Sequence, residues 1–440
     1  MTPEQLHEWR NKHSKPKGYA HFDLRVSCDS KWDYITDPEK VARHGFYPFI
    51  HYVEHTRKYH KGTGTKAKER PIRYAAHIDR CIYQYYSLLL EEKYVRRIAV
   101  DGTADCAIAY RSDLKKCNID FAKAAFDCIA EHPECFVLIG DFTGFFDHLD
   151  HRYLKERLLS LFGAPKLPAD YYAVYKNITR YSDWSLKSLL EINGVKTRRE
   201  LDRKKRVLTP EQYRQLSKRE SRSGAIARND NDYGIPQGSP ISGVLSNVYM
   251  LEFDKLIHDL VTEYSGKYMR YCDDFIVIIP SDETDGVGFD CIYKRLVGII
   301  DSIPGLDLQP DKTRVYHRVH SAIHNCNEDY LPDTPNTKDV LEYLGFAIDG
   351  TEVRIRDKTI SKYHYRLRRK INTVNAIAAQ DPHKGAKSRR MLYQIYSEKG
   401  DRKQPNFLNY VKRSHRTFER SPSLFKGTKR HMKIIKRGLQ

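Results

Sequence analysis

None of the nine cysteines of this 440-residue chain forms a C-x-x-C pair. An odd total without regular spacing argues against both a disulfide frame and a zinc module, and points to a reducing cytoplasm. No apolar run approaches the ~20 residues a membrane helix needs, so no membrane partner is expected. The start, Met1-Thr-Pro-Glu-Gln, holds no apolar leader core. Internal repeats and low-complexity tails are also missing. Tryptophan is scarce at 3 residues, so flat stacking surface falls to the 31 tyrosines. A tyrosine offers a ring face plus a hydroxyl that tolerates water, which suits a surface lined with bases, although most of them will fill half-wet core edges.

Net charge is missing from most of the chain and concentrated in the rest. Residues 351–440 hold 25 Lys and Arg against 6 Asp and Glu, while the first 350 hold 51 of each. The whole excess of +19 therefore sits in one segment. Such segregation marks a dedicated polyanion surface, and nucleic acid fits it better than an anionic membrane.

Residues 1–60 read as a helical N-terminal extension, with Val41, Phe46, Ile50 and Val53 in mixed helical spacing. Lys61 to Lys68 reads as a hairpin tip, and a helix runs from Ala75 to about Tyr94. Phe136-Val-Leu-Ile139 is an apolar strand ending at Gly140-Asp141. Lys267 to Tyr271 and Phe275 to Ile279 form a hairpin interrupted only by Cys272-Asp-Asp274. Between these lies a basic, helix-prone stretch at 195–228, with 12 Lys and Arg against 4 acids. It reads either as a solvated insertion or as a contact for template or a partner RNA. Ser239 as N-cap and Pro240 at the first position open a long helix, with Ile241, Val244, Leu245, Val248, Leu256, Ile257 and Leu260 on its buried side. After Gly350 the chain is basic and helical, with apolar stripes at Leu367, Ile371, Val374 and Ile377, at Leu392 and Ile395, and at Leu408 and Val411.

An acidic pair at the tip of so apolar a hairpin is costly unless something positive sits on it. Two Mg²⁺ ions held roughly 3.5–4 Å apart by shared carboxylates would compensate it, with Mn²⁺ as substitute. Phosphoryl transfer uses such a pair: one ion activates a 3′-hydroxyl and the other steadies the leaving pyrophosphate. The third carboxylate must come from a neighbouring strand, and Asp141 is the best candidate.

These residues resemble a known family. Val137-Leu-Ile-Gly-Asp141-Phe-Thr-Gly-Phe-Phe146 is similar to motif A of the reverse transcriptases, and Gly234-Ile-Pro-Gln-Gly-Ser-Pro-Ile-Ser242 to motif B. Tyr271-Cys-Asp-Asp274 resembles motif C, Leu308-Gln-Pro-Asp-Lys312-Thr313 motif D, and Glu342-Tyr-Leu-Gly-Phe346 the primer-grip motif E. Lys68-Glu-Arg-Pro-Ile-Arg73, followed by Asp79-Arg80, resembles the fingers motifs. The resemblance spans about residues 45–350. It implies an α+β right-hand polymerase: fingers and palm at 61–350, built of an antiparallel sheet plus helices, and a basic α-helical thumb at 351–440. That last segment is too short for a thumb plus RNase H or integrase.

Carried over residue by residue, the resemblance makes Asp141, Asp273 and Asp274 the metal holders, with the Phe142 carbonyl helping. Phe146 would be the steric gate that favours deoxynucleotides, and Gln237 would touch the incoming dNTP, with Gly238 allowing close backbone approach. Arg70, with Lys68 and Arg73, would grip the triphosphate. Lys312 would donate a proton to pyrophosphate; its plainer reading is a surface lysine after a proline turn.

The patterns His77-Ile-Asp79-Arg80-Cys-Ile-Tyr-Gln-Tyr-Tyr86, Ala109-Tyr-Arg111 and Asn118-Ile-Asp-Phe-Ala122 resemble the bacterial defence-associated reverse transcriptases, the "unknown group" related to abortive-infection enzymes. That likeness implies a cDNA product made from a small structured non-coding RNA during phage infection, with a homo-oligomer or a partner polymerase as possible company. Two alternatives stay open: template-independent or protein-primed DNA synthesis, and an RNA-binding scaffold with a silent site.

Overall fold

The two apolar runs expected as strands lie side by side, and their pairing organises the molecule. The computed structural model describes residues 2–60, 64–281, 288–331, 333–398 and 405–439, with side chains at 56–60 and 64–68 outside the described set. Its strands are β1 (Phe49–His60), β2 (Gly64–Tyr74), β3 (Glu134–Asp141), β4 (Ser182–Ser185), β5 (Ile226–Arg228) and β6 (Lys267–Tyr271). They continue with β7 (Asp274–Pro280), β8 (Arg314–Val319), β9 (Ala322–Asn325), β10 (Leu341–Tyr343), β11 (Phe346–Ile348) and β12 (Val353–Ile355).

The central sheet runs β6-β7-β3-β8-β9, every neighbouring pair antiparallel. Because side chains alternate across a sheet, Leu138, Val277, Ile279 and Val315 face one core, shared with helices Ser242–Tyr249 and Leu251–Thr262. Val137, Ile276, Ile278 and Tyr316 face a second core, formed by helix Asn118–Glu131 and the β10-β11-β12 meander. A strand covered on both faces has to be apolar throughout, which is why these runs do not alternate. Gly140 is fixed by its neighbour: a Cβ there would stand 2.3 Å from Cζ of Phe275, its cross-strand partner. The Phe275 ring instead covers Gly140 and stacks on Phe142, with centroids 5.3 Å apart.

The fingers sheet runs β2-β1-β4-β5. Here the sequence reading of residues 1–60 is corrected. The N-terminal helices are Pro3–Lys12, Trp32–Ile35 and Pro38–Ala42, and Ile50 and Val53 lie in strand β1. Pairing of β1 with its hairpin partner β2 and with the distant β4 overrides the local helical spacing. The chain before β1 joins the fingers core, where Phe22 meets Trp184 at 5.2 Å and Tyr213 at 5.1 Å. Tyr213 belongs to the basic stretch, whose helices are Arg198–Leu201 and Pro210–Arg222. Of the expected hairpin tip, residues 61–63 lie outside the described residues, and the backbone from Gly64 onward is already strand.

The long helix expected from Ser239 is two helices that meet at Met250, and the first begins at Ser242. Ser239 does not cap it. The loop before it contains Gly234 (φ +88°) and Gly238 (φ +105°), and the Ser242 hydroxyl donates to the Pro236 carbonyl at 2.7 Å. That bond, with the Ser242 N–H donated to the Ser239 carbonyl at 3.3 Å, holds Ser239–Ile241 in a turn outside the helix. Leu256, expected on the buried side, is 38% exposed.

The basic C-terminal segment forms helices Asp357–Gln380, Pro382–Tyr396, Phe407–Thr417, Ser423–Lys426 and His431–Gly438. Leu367, Ile371, Val374, Leu392 and Ile435 make its own small core. Val411 and Phe418 belong instead to the palm core, so helix Phe407–Thr417 docks on the palm. Ile395 is exposed.

Candidate active site

Register brings two of the three carboxylates together: Asp141, last in β3, lies opposite Asp274, first in β7. Tyr271 at the end of β6 also pairs with Asp274, leaving Cys272 and Asp273 as a two-residue turn with Cys272 at φ +64°. The Phe142 N–H donates to the Asp273 carbonyl at 3.3 Å, tying that turn to the end of β3. Burial, a hydrogen bond with Asp141 and the charges of Asp273 and Asp141 push the Asp274 carboxyl up to about 7, with Lys312 opposing.

The loop after Leu306 wraps back on the same point. The Gln309 N–H donates to the Asp141 carbonyl at 2.8 Å, and the Thr143 N–H to the Asp307 carbonyl at 2.9 Å. These bonds aim the Lys312 ammonium at Asp141 Oδ1, with which it forms an ion pair. Lys312 is 36% exposed and Asp141 9%.

Among the described residues no three His, Cys, Asp or Glu side chains converge as a metal-binding set. Asp141 is held instead by its ion pair with Lys312. Asp141 and Asp274 lie side by side, Asp273 adds its charge from the adjoining turn, and the one ammonium paired with Asp141 leaves surplus negative charge. That surplus and the all-oxygen donor set fit hard divalent cations such as Mg²⁺ or Mn²⁺.

Phe146 lies on the one-turn helix Phe145–His148, and its carbonyl accepts from the Ile235 N–H at 2.8 Å. Its ring, Gln237, Gly238, Ile72 and Tyr110 line a cavity of about 500 Å³. The loop carrying Gln237 is fastened to the fingers: its carbonyl accepts from the Arg73 N–H at 2.9 Å. A Cβ on Gly238 would lie 2.6 Å from the Arg73 carbonyl oxygen, so only glycine permits this approach. Gln237 Nε2 reaches 3.5 Å from Asp147 Oδ2, whose carboxyl is raised by burial against the pull of Arg73 and His148. The buried Ser239 hydroxyl also lines this cavity, and its oxygen has no hydrogen-bond partner among the described residues.

Arg70 is exposed, two residues before Ile72 and so on the same face of β2. The Lys68 side chain lies outside the described residues. Arg73, expected at the triphosphate, pairs its guanidinium with Asp183 at 2.6 Å and covers the Tyr181 ring at 4.9 Å. Sequence reasoning missed Tyr110, half-exposed at φ +57°, and Arg270, fully buried beside the acidic turn. A charged residue inside the otherwise buried strand Lys267–Tyr271 was the available signal.

An antiparallel palm whose central strands end in facing carboxylates, roofed by a fingers hairpin, defines a nucleic-acid polymerase of the α+β right-hand type. Residues 59–348 match the model of the reverse transcriptase (RNA-dependent DNA polymerase) family, and the chain belongs to that family. Protein YkfC of Escherichia coli (strain K12) is 27% identical over 115 residues, covering 19% of this chain and 29% of that protein. Apo telomerase of Candida tropicalis truncated from its C-terminal domain is 13% identical, with a TM-score of 0.42, covering 76% of this chain and 61% of that one. Telomerase of Candida albicans in complex with a fragment of telomeric RNA is 13% identical with a TM-score of 0.40, covering 95% and 67%. No helix among the described residues is long and apolar enough to cross a membrane.

Proposed function

We propose that the chain is an RNA-directed DNA polymerase that extends a primer by phosphoryl transfer from dNTPs. The observation that carries this reading is the register of Asp141 against Asp274, which line one cavity with Lys312, with Asp273 in the adjoining turn and Phe146 and Gln237 lining a second cavity. Asp141, Asp273 and Asp274, with the Phe142 carbonyl, would hold two Mg²⁺ ions. When bound, these supply activation of the primer 3′-hydroxyl and stabilisation of the pyrophosphate charge. Lys312 then gives up its hold on Asp141 and carries a proton at Nζ for the leaving pyrophosphate. The Phe146 ring fills the space a 2′-hydroxyl would need, and Gln237 orients the nucleotide. Arg70, Lys68 and Arg73 grip the triphosphate, while the Arg73 backbone fastens the fingers to the Gln237 loop.

The template in this reading is a structured non-coding RNA held by the basic helices after Gly350, and the setting is anti-phage defence. The likeness of His77 to Tyr86, Ala109 to Arg111 and Asn118 to Ala122 to the defence-associated enzymes supports it. Sequencing the nucleic acid that co-purifies with the chain tests this: a single structured RNA together with complementary cDNA is expected. Cellular RNA of random sequence would remove the dedicated template, and DNA covalently bound to protein would replace it with protein priming.

A further inference from the structure

Arg270 and Asp254 form an ion pair with almost no exposure, at 0% and 1%. The contact is two-pronged, Nε to Oδ1 at 2.8 Å and Nη2 to Oδ2 at 2.6 Å. Tyr268 adds its hydroxyl to Asp254 Oδ1 at 2.7 Å. Desolvating two charges is expensive, and well-packed apolar side chains in place of such a pair are often neutral or stabilising. Stability is therefore a poor reason for this pair to exist.

What an apolar pair could not do is donate a hydrogen bond. The guanidinium's third edge, Nη1, donates to the Cys272 carbonyl at 2.8 Å. Cys272 is the non-glycine residue at φ +64° that turns the chain from β6 into Asp273 and Asp274. A residue in that region persists only where its surroundings hold it. The backbone of Arg270 is anchored as well: its N–H donates to the Cys106 carbonyl at 2.8 Å, and its carbonyl accepts from the Ile108 N–H at 2.9 Å. Asn247, on the helix that follows the Gln237 loop, donates to the Ala109 carbonyl at 2.9 Å and turns its oxygen toward the same guanidinium at 3.4 Å. One planar, permanently charged fork thus joins the acidic turn, helices Ser242–Tyr249 and Leu251–Thr262, and the segment carrying Tyr110.

We propose that Arg270, oriented by Asp254, is a positioning residue that fixes the Cys272–Asp273 turn so that Asp273 and Asp274 stand where they can act with Asp141. The proposal rests on the reading of those carboxylates as the reaction centre. Two variants separate positioning from bulk stability. Arg270→Lys keeps the charge but cannot hold Asp254 and the Cys272 carbonyl together. The double variant Arg270→Met with Asp254→Leu removes the charges and keeps the volume.

Each variant is followed by its thermal melt, by kcat and KM for dNTP on an RNA template, and by Mn²⁺ binding measured by electron paramagnetic resonance. Both are expected to fold, with kcat reduced about 10- to 100-fold, KM for dNTP within about threefold of wild type, and weakened Mn²⁺ binding. Folded Arg270→Lys protein with wild-type kcat and Mn²⁺ binding would overturn the proposal, whatever the double variant does. If wild-type protein incorporates nothing, the polymerase reading fails by itself, and weaker Mn²⁺ binding in the variants still supports the clamp.

Discussion

Replacing Gly238 by alanine tests how tightly the nucleotide-facing loop is fastened to the fingers. The new Cβ would lie 2.6 Å from the Arg73 carbonyl oxygen, a backbone atom that cannot rotate aside. It would also have to sit at φ +105°, where an L side chain costs on the order of 1–3 kcal/mol. Relief requires the loop to move, which breaks the 2.9 Å bond from the Arg73 N–H to the Gln237 carbonyl, worth roughly 0.5–1.5 kcal/mol. The combined penalty is about 2–4 kcal/mol, and its cheapest outlet is local displacement of Gln237. Misplacement of a nucleotide contact by about 1 Å costs up to 100-fold, so kcat/KM for dNTP should fall about 10- to 100-fold. Gly163→Ala is the control: its φ is +60°, nothing lies within 4 Å of the added Cβ, and it follows helix His151–Phe162. That variant should lose about 1 kcal/mol of stability and no activity. Steady-state primer extension beside thermal melts gives both numbers. Gly238→Ala protein with wild-type kcat/KM would refute the coupling of fingers and loop.

Phe146→Ala should raise ribonucleotide incorporation relative to deoxynucleotide at least tenfold, measured by competing the two on one template; unchanged selectivity would remove the gate. Gly140→Ala drives a methyl into the Phe275 ring and should cost roughly 1–3 kcal/mol, read as a lowered urea midpoint. His21 is fully buried, and burial pushes its imidazole down to about 3. Its folded value lies below the ordinary 6.5, so its contribution is complete above pH 6.5 and is lost as pH falls toward 3. Stability should drop by up to about 1.4 kcal/mol per pH unit in that window, and urea melts of His21→Asn should show a shallower slope. Reversing Arg368 and Arg369 to Glu should weaken RNA binding and flatten its salt dependence, with nucleotide selection unchanged; a salt response like wild type would return these helices to plain surface.

The palm was legible because its strands are covered on both faces: Val137–Ile139 and Phe275–Ile279 had to be apolar, and their acidic ends stood out against them. Lys312 stood out by motif, and the structure sets it in an ion pair with Asp141. The N-terminal region was not legible, since the pairing of β1 with β4 spans more than a hundred residues and leaves no local trace. Ser239 looked like a cap because its neighbour is proline, but glycines at positive φ on the preceding loop set the helix start instead. The ion pair of Arg73 with Asp183 was not legible, because the two lie more than a hundred residues apart. Arg270 was hidden for the same reason, because its value depends on Asp254 and on a backbone carbonyl two residues away.

The most direct test of the account is incorporation of labelled dNTP on a primed RNA template with Mg²⁺, comparing wild type with Asp273→Ala plus Asp274→Ala. The account predicts template-dependent DNA from wild type and a loss of at least a thousandfold in the double variant, with its thermal melt retained. Equal incorporation by the two proteins, or none by wild type under any priming condition, would contradict it.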